Sequence, residues 1–323
     1  MLRIETNQNL ADEHVEKVYE NIQNRIGKVI LDEGLKKKNS TNNIVLTDIL
    51  DNDDIKFLEF IKKEKVLKKI LKATPLQLRA FIKWINTKYP NGADKTKVLY
   101  KCLYNIFVIH GYGKPKNLNL DKFQFIKNIG LETCPYCNRS SIYTIGRNKK
   151  IKPEIDHFYP KDKYPILAIS YFNLIPSCPT CNGLGAKSNK DSYALELKNP
   201  YEIEADDFKF SFKVNSVSIL HPFMDKESIE IFFETQIKEH SRVFGLEFLY
   251  AEHRDVVLEL YLKAKHEYVR EYIDYLYSYD GLEFTDADIY RFITCGYRDD
   301  RDLHKRPLSK LTRDISDKLG LLQ

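Results

Sequence analysis

The chain is 323 residues long, 43% hydrophobic and 30% charged, which allows a sizeable folded core and argues against an intrinsically disordered protein. No apolar run approaches the roughly 20 residues that a membrane-spanning helix needs, and the first ten residues lack the apolar core of a secretion signal, so we expect a cytoplasmic protein with no membrane partner. The net charge of +5 is modest and does not by itself identify an acidic partner.

Residues 1–130 are predicted to be helical. Apolar residues recur at helical spacing from Leu10 to Leu31 and again from Ile55 to Leu71. Thr74 can cap a helix that begins at Pro75. We predict five helices here, over residues 10–31, 55–71, 74–88, 94–111 and 121–128. Because no chemistry-bearing motif is visible in this region, we interpret it as a scaffold.

The rest of the chain divides into two segments. Residues 131–200 are punctuated by Cys, Pro, Asn and Gly, whereas residues 201–323 begin with alternating stretches typical of strands and then return to helical periodicity. The strands are predicted over residues 208–214 and 229–233, and the helices over residues 242–250, 254–279, 286–294 and after Pro307. We expect Cys102, Cys295 and the tyrosines of Tyr261–Tyr279 to pack in the core, although tyrosines could instead stack on nucleic-acid bases.

The other four cysteines form two closely spaced pairs. Cys134-Pro-Tyr-Cys137 and Cys178-Pro-Thr-Cys181 each present two thiolates from one tight turn, and two such turns complete a tetrahedral Zn²⁺ site. In a reducing cytoplasm such pairs bind metal or carry out redox chemistry rather than form structural disulfides. The alternatives are two unrelated buried pairs or a redox motif. About 40 residues separate the pairs, more than a compact zinc ribbon contains, so we expect other structure between them.

An adjacent Asp156-His157 pair lies between the two cysteine pairs. The carboxylate is a hard oxygen ligand for a divalent cation, and the imidazole can deprotonate water near neutral pH. By itself this dipeptide is usually structural or on the surface. Its context is more informative, because other polar residues follow it in order: Asn173, Asn182 directly after the last cysteine, and Lys187 and Lys190 in a glycine-containing stretch.

The order Cys-x-x-Cys, Asp-His, Asn-Leu, Cys-x-x-Cys-Asn, Lys resembles the zinc-containing branch of the HNH (His-Me finger, ββα-metal) endonuclease superfamily. The resemblance implies a hairpin whose strand carries Asp156 and His157, a loop containing Asn173, and a helix that begins near the second cysteine pair. We therefore expect an α+β, predominantly helical protein. Its three parts would be a helical region at 1–130, an HNH nuclease domain with the four-cysteine zinc site at 131–200, and an α/β-then-helical region at 201–323.

The resemblance also implies roles for individual residues. His157 would be the general base that activates water for attack on the scissile phosphate. Asp156 and Asn182 would hold one catalytic Mg²⁺ or Mn²⁺, which would bind the phosphate and stabilise charge on the leaving oxygen. Asn173 would fix the loop and orient the His157 ring through a backbone contact.

Three positions of the motif have two possible interpretations each. The family has His or Asn at the final motif position, and Asn182 is preferred to Asn189 because its spacing from the cysteine matches. Lys187 either contacts the substrate phosphate or is solvated. Glu154 is either an extra metal ligand or, as we favour, an exposed strand residue.

The flanking residues look like those of HNH proteins in bacterial anti-phage systems, including the nuclease partner of an ATPase in Septu-type and retron-linked systems. The likeness lies in Asp156-His-Phe-Tyr-Pro-Lys161 and Tyr171-Phe-Asn-Leu-Ile-Pro-Ser-Cys178. It implies a DNA endonuclease of defence or restriction, with RNA not excluded, whose helical regions would dock an ATPase or another subunit, or grip DNA. Because the chain has no P-loop, any control by ATP would have to come from a partner. The competing interpretations are a catalytically inactive, zinc-stapled nucleic-acid-binding or scaffold protein, and an unrelated redox or partner-binding zinc protein.

Overall fold

The computed structural model describes residues 1–38, 44–113, 121–146, 150–216, 225–235, 237–279, 281 and 283–321. These residues are mainly helical and include four two-stranded antiparallel sheets, so the predicted α+β, predominantly helical class is confirmed. The helices are α1 (Gln8–Leu31), α2 (Asn52–Lys62), α3 (Glu64–Leu71), α4 (Pro75–Lys88), α5 (Val98–Leu103), α6 (Lys122–Ile129), α7 (Pro179–Asn182), α8 (Lys238–Phe244), α9 (Leu246–Ala251), α10 (Arg254–Lys265), α11 (Glu267–Ser278), α12 (Asp286–Thr294) and α13 (Ser309–Leu319). The strands pair as β1 (Gly34–Lys38) with β2 (Ile44–Ile49), β3 (Ile145–Gly146) with β4 (Lys150–Ile151), β5 (Glu154–His157) with β6 (Leu174–Ser177), and β7 (Phe208–Val214) with β8 (Ile229–Thr235).

The N-terminal helices follow the predicted periodicity with two differences. The predicted helix over residues 55–71 is divided into α2 and α3, because Lys63 adopts an extended ψ of 131° that interrupts the helical hydrogen bonds. The predicted helix ending near Gly111 begins later, at Val98, and continues beyond α5 as a π-helical segment, Tyr104–Gly113. Segments of this kind are rare and concentrate at functional sites. The β1–β2 hairpin lies in a region predicted to contain only helices.

The C-terminal region contains the two predicted strands, but its helices are more divided than predicted. The predicted helix over residues 242–250 is interrupted at Gly245, which is left-handed with φ of 60°, and the one over residues 254–279 is interrupted at His266, which is extended with ψ of 122°. Two further expectations about side chains are also corrected. The strands β7 and β8 pair over seven residues, and α13 packs against β7. The tyrosines of α11 are exposed rather than in the core, with Tyr268 72% and Tyr275 55% exposed, because this helix buries only Leu276 among its described side chains. Cys295 is also exposed, since it ends α12 in a left-handed conformation with φ of 56°, whereas Cys102 is buried as expected.

One apolar core joins the three predicted segments. Buried residues from each of them, such as Leu58, Leu167 and Ile315, belong to the same cluster of contacting side chains. Boundaries at residues 130 and 200 stay a prediction. Among the described residues, no helix has both the length and the apolar character needed to cross a bilayer.

A buried histidine fastens α1 to the loop before β6. The His14 side chain is 5% exposed, and its Nε2 donates to the Ile169 carbonyl at 2.7 Å. Because a carbonyl oxygen only accepts, Nε2 carries the proton. Burial lowers the pKa of His14 to about 4, the Ile169 bond opposes that change, and the charge of Lys17 adds to it. The residue is therefore neutral in the folded protein at pH 7.

This histidine is expected to make the fold sensitive to acid. Below pH 6.5 His14 is protonated in the unfolded chain, whereas in the folded chain it stays neutral down to about pH 4. The free energy of unfolding therefore decreases as the pH falls through this window. The loss is about 3 kcal/mol at pH 4. A His14→Gln variant, whose amide can still donate to Ile169, should lose about 3 kcal/mol less between pH 7 and pH 4 in urea unfolding. Equal losses in the two proteins would contradict this assignment.

Candidate functional site

A buried hairpin positions the predicted site. In β5 and β6, Asp156 pairs with Ile175 and His157 with Leu174, and α7 follows the second strand after one residue. Every residue of the hairpin is buried except Glu154. Since packing on both faces holds the strands, the side chains of Asp156 and His157 have fixed positions.

The four paired cysteines lie together. The Sγ atoms of Cys134, Cys137, Cys178 and Cys181 are all within 4.8 Å of one another, and all four residues are buried. A tetrahedral zinc ion with Zn–S bonds of about 2.3 Å needs sulfurs about 3.8 Å apart. The separation and the soft donor set therefore both fit zinc, in agreement with the prediction of a metal-binding cysteine cluster.

Hydrogen bonds favour the thiolate at two of the four cysteines, whereas burial raises the pKa of Cys134 and hydrogen bonding to Cys134 raises the pKa of Cys181. Backbone N–H groups of Arg139 and Cys181 donate to the sulfurs of Cys137 and Cys178, both at 3.4 Å. A hydrogen bond from Cys134 lowers the pKa of Cys137 to about 7, and another lowers the pKa of Cys178. Because only the thiolate binds zinc, these donors prepare the site for the ion.

Tyr136, between the first two cysteines, connects the cluster to the hairpin. Its hydroxyl donates to Asp156 Oδ2 at 2.5 Å, and its ring stacks on Phe244 with centroids 4.3 Å apart. Tyr250 donates from its hydroxyl to the Cys137 carbonyl. The first cysteine turn thus lies directly against the predicted catalytic carboxylate. Sequence reasoning missed Tyr136, whose one signal was its place inside the Cys-x-x-Cys motif.

The C-terminal region closes over this turn through Asn138. The residue is fully buried with a left-handed φ of 49°. Its side-chain amide donates to the Thr133 hydroxyl and the Leu303 carbonyl, and its Oδ1 accepts from the Lys310 backbone N–H at 2.9 Å. Its carbonyl accepts from the Leu308 N–H at 2.7 Å. Residues 303–310 therefore tie down the chain that leaves Cys137.

Asp156 forms a buried ion pair with Lys187. Lys187 is 0% exposed, and its Nζ lies 2.9 Å from Asp156 Oδ1 and 2.9 Å from the His157 carbonyl. Both carboxylate oxygens of Asp156 are thus engaged, one by Lys187 and the other by Tyr136. Each oxygen keeps a further lone pair, and metal binding by Asp156 and phosphate contact by Lys187 stay predictions.

His157 is held as a neutral base. Its Nε2 donates to the Ala168 carbonyl at 3.0 Å, which leaves Nδ1 with a lone pair. Burial, followed by the charges of Lys161 and Lys187, lowers the pKa of His157 well below 6.5. The Tyr112 ring packs edge-on against the imidazole, with centroids 4.4 Å apart. Sequence reasoning missed Tyr112, because a tyrosine near the end of a helix carries no chemical motif.

Asn173 closes the loop that joins β5 to β6. Its Oδ1 accepts from the Tyr159 N–H at 2.7 Å, and its Nδ2 donates to the carbonyls of Tyr159 and Leu167 at 3.1 and 2.9 Å. Leu167 immediately precedes Ala168, whose carbonyl binds the His157 ring. The side chain thereby fixes the backbone that orients the histidine.

Removing the Asn173 amide is expected to destabilise the protein strongly. An Asn173→Ala change leaves the three buried backbone groups of Tyr159 and Leu167 without their partner, and each unpaired group costs roughly 1–3 kcal/mol. We expect the free energy of unfolding in urea to fall by about 3–5 kcal/mol. The exposed Asn189, changed to Ala, is the control and should alter stability little. A loss below about 1 kcal/mol for Asn173→Ala would contradict this role.

The structure brings Asn182 to Glu154 rather than to Asp156. The Asn182 Nδ2 donates to Glu154 Oε2 at 2.7 Å, while Asn189 donates to Asp162 at 3.4 Å. Glu154 is an exposed strand residue, the alternative that the sequence favoured. Among the described residues, the four cysteines are the one cluster of three or more His, Cys, Asp or Glu side chains close enough to hold an ion. A hard-cation site at Asp156 and Asn182 stays a prediction.

Comparisons with known proteins give two partial similarities. The chain is 47% identical to the Septu protein PtuB of Bacillus thuringiensis over 119 residues, which is 36% of this chain and 42% of that protein. It is 32% identical to Protein ea31 of Escherichia phage lambda over 106 residues, or 32% of this chain and 24% of that protein. The chain thus matches less than half the length of either relative. No protein-family model and no solved structure matches it.

Proposed function

We propose that this chain is a metal-dependent endonuclease of the HNH type that hydrolyses phosphodiester bonds in DNA. The observation that carries the proposal is the arrangement around His157. A neutral imidazole, fixed through Nε2 by the Ala168 carbonyl, keeps Nδ1 for proton transfer. It lies beside the buried carboxylate of Asp156 on a hairpin that leads into a short helix within the four-cysteine cluster.

In the proposed reaction, His157 Nδ1 takes a proton from a water molecule as the water oxygen bonds to phosphorus. One phosphorus–oxygen ester bond breaks on the opposite side, and the leaving oxygen receives a proton from solvent. The carbonyl of Ala168 stabilises the imidazolium that forms, because it accepts from Nε2. Asn173 holds the neighbouring Leu167 carbonyl and keeps the ring in place.

The donor types at Asp156 and Asn182, a carboxylate and an amide oxygen, suit Mg²⁺ or Mn²⁺. When bound, the ion would stabilise negative charge on the phosphate and the leaving oxygen. In this structure the ammonium of Lys187 neutralises Asp156 instead. A cation at Asp156 would compete with this ammonium for the carboxylate, and displacement of Lys187 would make its ammonium available to the substrate phosphate.

The proposed setting is cytoplasmic anti-phage defence, with an ATPase as partner. The similarity to the Septu protein PtuB supports the defence role, and the likeness of the residues around His157 to anti-phage HNH proteins supports the ATPase. The alternative is a catalytically inactive, zinc-stapled nucleic-acid-binding or scaffold protein. The closed Asp156–Lys187 ion pair favours that alternative, because it occupies the carboxylate.

Cleavage of supercoiled plasmid tests the proposal. Purified protein, dialysed to leave only tightly bound zinc, is incubated with Mg²⁺, with Mn²⁺ or without added cation, alone and with a candidate ATPase partner. We expect nicked or linear products only when Mg²⁺ or Mn²⁺ is present. DNA binding without cleavage in every arm would support the inactive alternative and overturn the nuclease.

A further inference from the structure

Side chains from outside the hairpin meet beside His157. Tyr112, in the π-helical segment, packs its edge against the imidazole. The Nζ of Lys122, in the first turn of α6, lies 3.5 Å from the centroid of the Tyr112 ring, and the Nζ of Lys161 lies 5.1 Å from it. Two ammonium groups from distant parts of the chain therefore share one aromatic ring next to the candidate base.

Within the described residues, these two lysines have no ion-pair partner. The neighbouring acidic groups are engaged elsewhere: Glu154 with Asn182, Asp156 with Lys187, and Asp121 with the backbone N–H groups that it caps. The sequence of segments 114–120 and 147–149 contains no Asp or Glu.

The fold keeps these like charges close together despite their repulsion. Burial, and then the charges of Lys152 and Lys161, lower the pKa of Lys122 to about 8. Both Lys122 and Lys161 are half-buried, so solvent screens them less than it screens a surface lysine. An anion bound between them would relieve the repulsion, as expected for an anion-binding site.

We propose that Lys122 and Lys161, held over the Tyr112 ring, bind the phosphodiester backbone of a nucleic-acid strand beside His157. The inference rests on the proposed function, which makes that strand the substrate. It adds that the N-terminal helical region supplies part of the substrate site, so that residues 131–200 do not contain all of it. The ring fixes both ammonium groups before the strand arrives, which lowers the entropy lost on binding.

Binding measurements test this inference without depending on cleavage. Fluorescence anisotropy of fluorescein-labelled duplex DNA, and of duplex RNA of the same sequence, is followed across a salt series with no divalent cation added. We expect Lys122→Gln and Lys161→Gln each to weaken binding on the order of tenfold, and to lower the slope of affinity against salt by about one. Whether the effect is seen with DNA, RNA or both identifies the strand.

Two matched variants separate charge from fold. Lys122→Arg keeps the charge and should bind within about threefold of the unaltered protein. Lys127→Gln removes an exposed charge from the same helix and should also bind like the unaltered protein. Absence of binding to both duplexes, or equal affinity of the Lys122→Gln, Lys161→Gln and Lys127→Gln proteins, overturns the inference.

The two proposals fail in different ways. Lysine-dependent binding without plasmid cleavage would refute the nuclease and leave this site standing as a nucleic-acid-binding site. If the Lys122→Gln and Lys161→Gln proteins cleave plasmid and bind duplexes as well as the unaltered protein, the lysine site is refuted and the nuclease proposal is retained.

The pH dependence of binding gives a second readout. Lys122 faces Lys161, Lys152 and the Tyr112 ring, with Asp121 beside it in sequence. Since its pKa is about 8, raising the pH from 7 to 9 removes its charge from the free protein, and affinity for the duplex should fall by up to about tenfold. Lys122→Arg should abolish this fall, and an equal fall in that variant would contradict a phosphate contact by Lys122.

Discussion

A Cys181→Ser variant is expected to lose its zinc and, with it, the folded structure around the hairpin. The apparent free energy of structural zinc sites is about 10–16 kcal/mol, comparable to or larger than the whole stability of a typical domain. The cluster also connects the hairpin to the C-terminal helices, because Tyr136 in its first turn contacts both Asp156 and Phe244. Without the ion, three buried cysteines and the introduced serine would lie together with no group to bridge them.

Metal analysis and thermal unfolding measure this effect. We expect one zinc per chain in the unaltered protein and in Cys295→Ser, whose cysteine is exposed and outside the cluster. Cys102→Ala, which removes a buried cysteine elsewhere, should keep the zinc and lose only about 1–2 kcal/mol of stability. A Cys181→Ser protein with one bound zinc and an unchanged melting temperature would show that the four cysteines do not form a zinc site.

A His157→Gln variant is expected to lose plasmid cleavage by about a thousandfold while keeping its fold. Glutamine can still donate to the Ala168 carbonyl but cannot accept a proton from water. General base catalysis contributes typically 10²–10⁴-fold, so the loss should fall within this range. The comparison is made at pH 7.5 with Mn²⁺, from initial rates of plasmid nicking.

The chain offers a matched control in His14. Both histidines are buried, and they donate through Nε2 to consecutive carbonyls, His157 to Ala168 and His14 to Ile169. His14→Gln therefore makes the same chemical change in a similar buried setting, one residue along the loop from Ala168, without altering the candidate base. It should cut within about threefold of the unaltered protein. Equal activity of the His157→Gln and unaltered proteins would reject His157 as the base.

The clustering of the four cysteines was predictable because the chemistry of a Cys-x-x-Cys pair is local. Two thiolates on one tight turn indicate a metal site wherever the fold places them, and the zinc-type cluster at Cys134 and Cys178 appears in the structure as expected. Helices with strong periodicity, such as α1 and α4, were predictable for the same reason. Their signals lie within a few turns of one segment.

Features that depend on tertiary structure were not visible in the sequence. The ion pair of Lys187 with Asp156 forms because the chain after α7 folds back under the hairpin, whereas the sequence suggested a phosphate contact or a solvated lysine. Tyr112 and Lys122 have no motif, and only packing brings them to His157. The exposed tyrosines of α11 had the spacing of a buried face, and composition cannot tell which face a neighbour will cover.

The contacts between residues 303–310 and Asn138 determine how late in translation the candidate site can be completed. During translation the cysteine pairs, the hairpin and His157 emerge from the ribosome well before Leu303, Leu308 and Lys310. Until those residues emerge, Asn138 lacks the contacts that hold the turn after Cys137. A chain that ends before residue 303 would contain every candidate catalytic residue but would lack the hydrogen bonds between Asn138 and residues 303–310. For the proposed nuclease, this order would delay a working site until residues 303–310 have been made, and would leave shorter fragments without one.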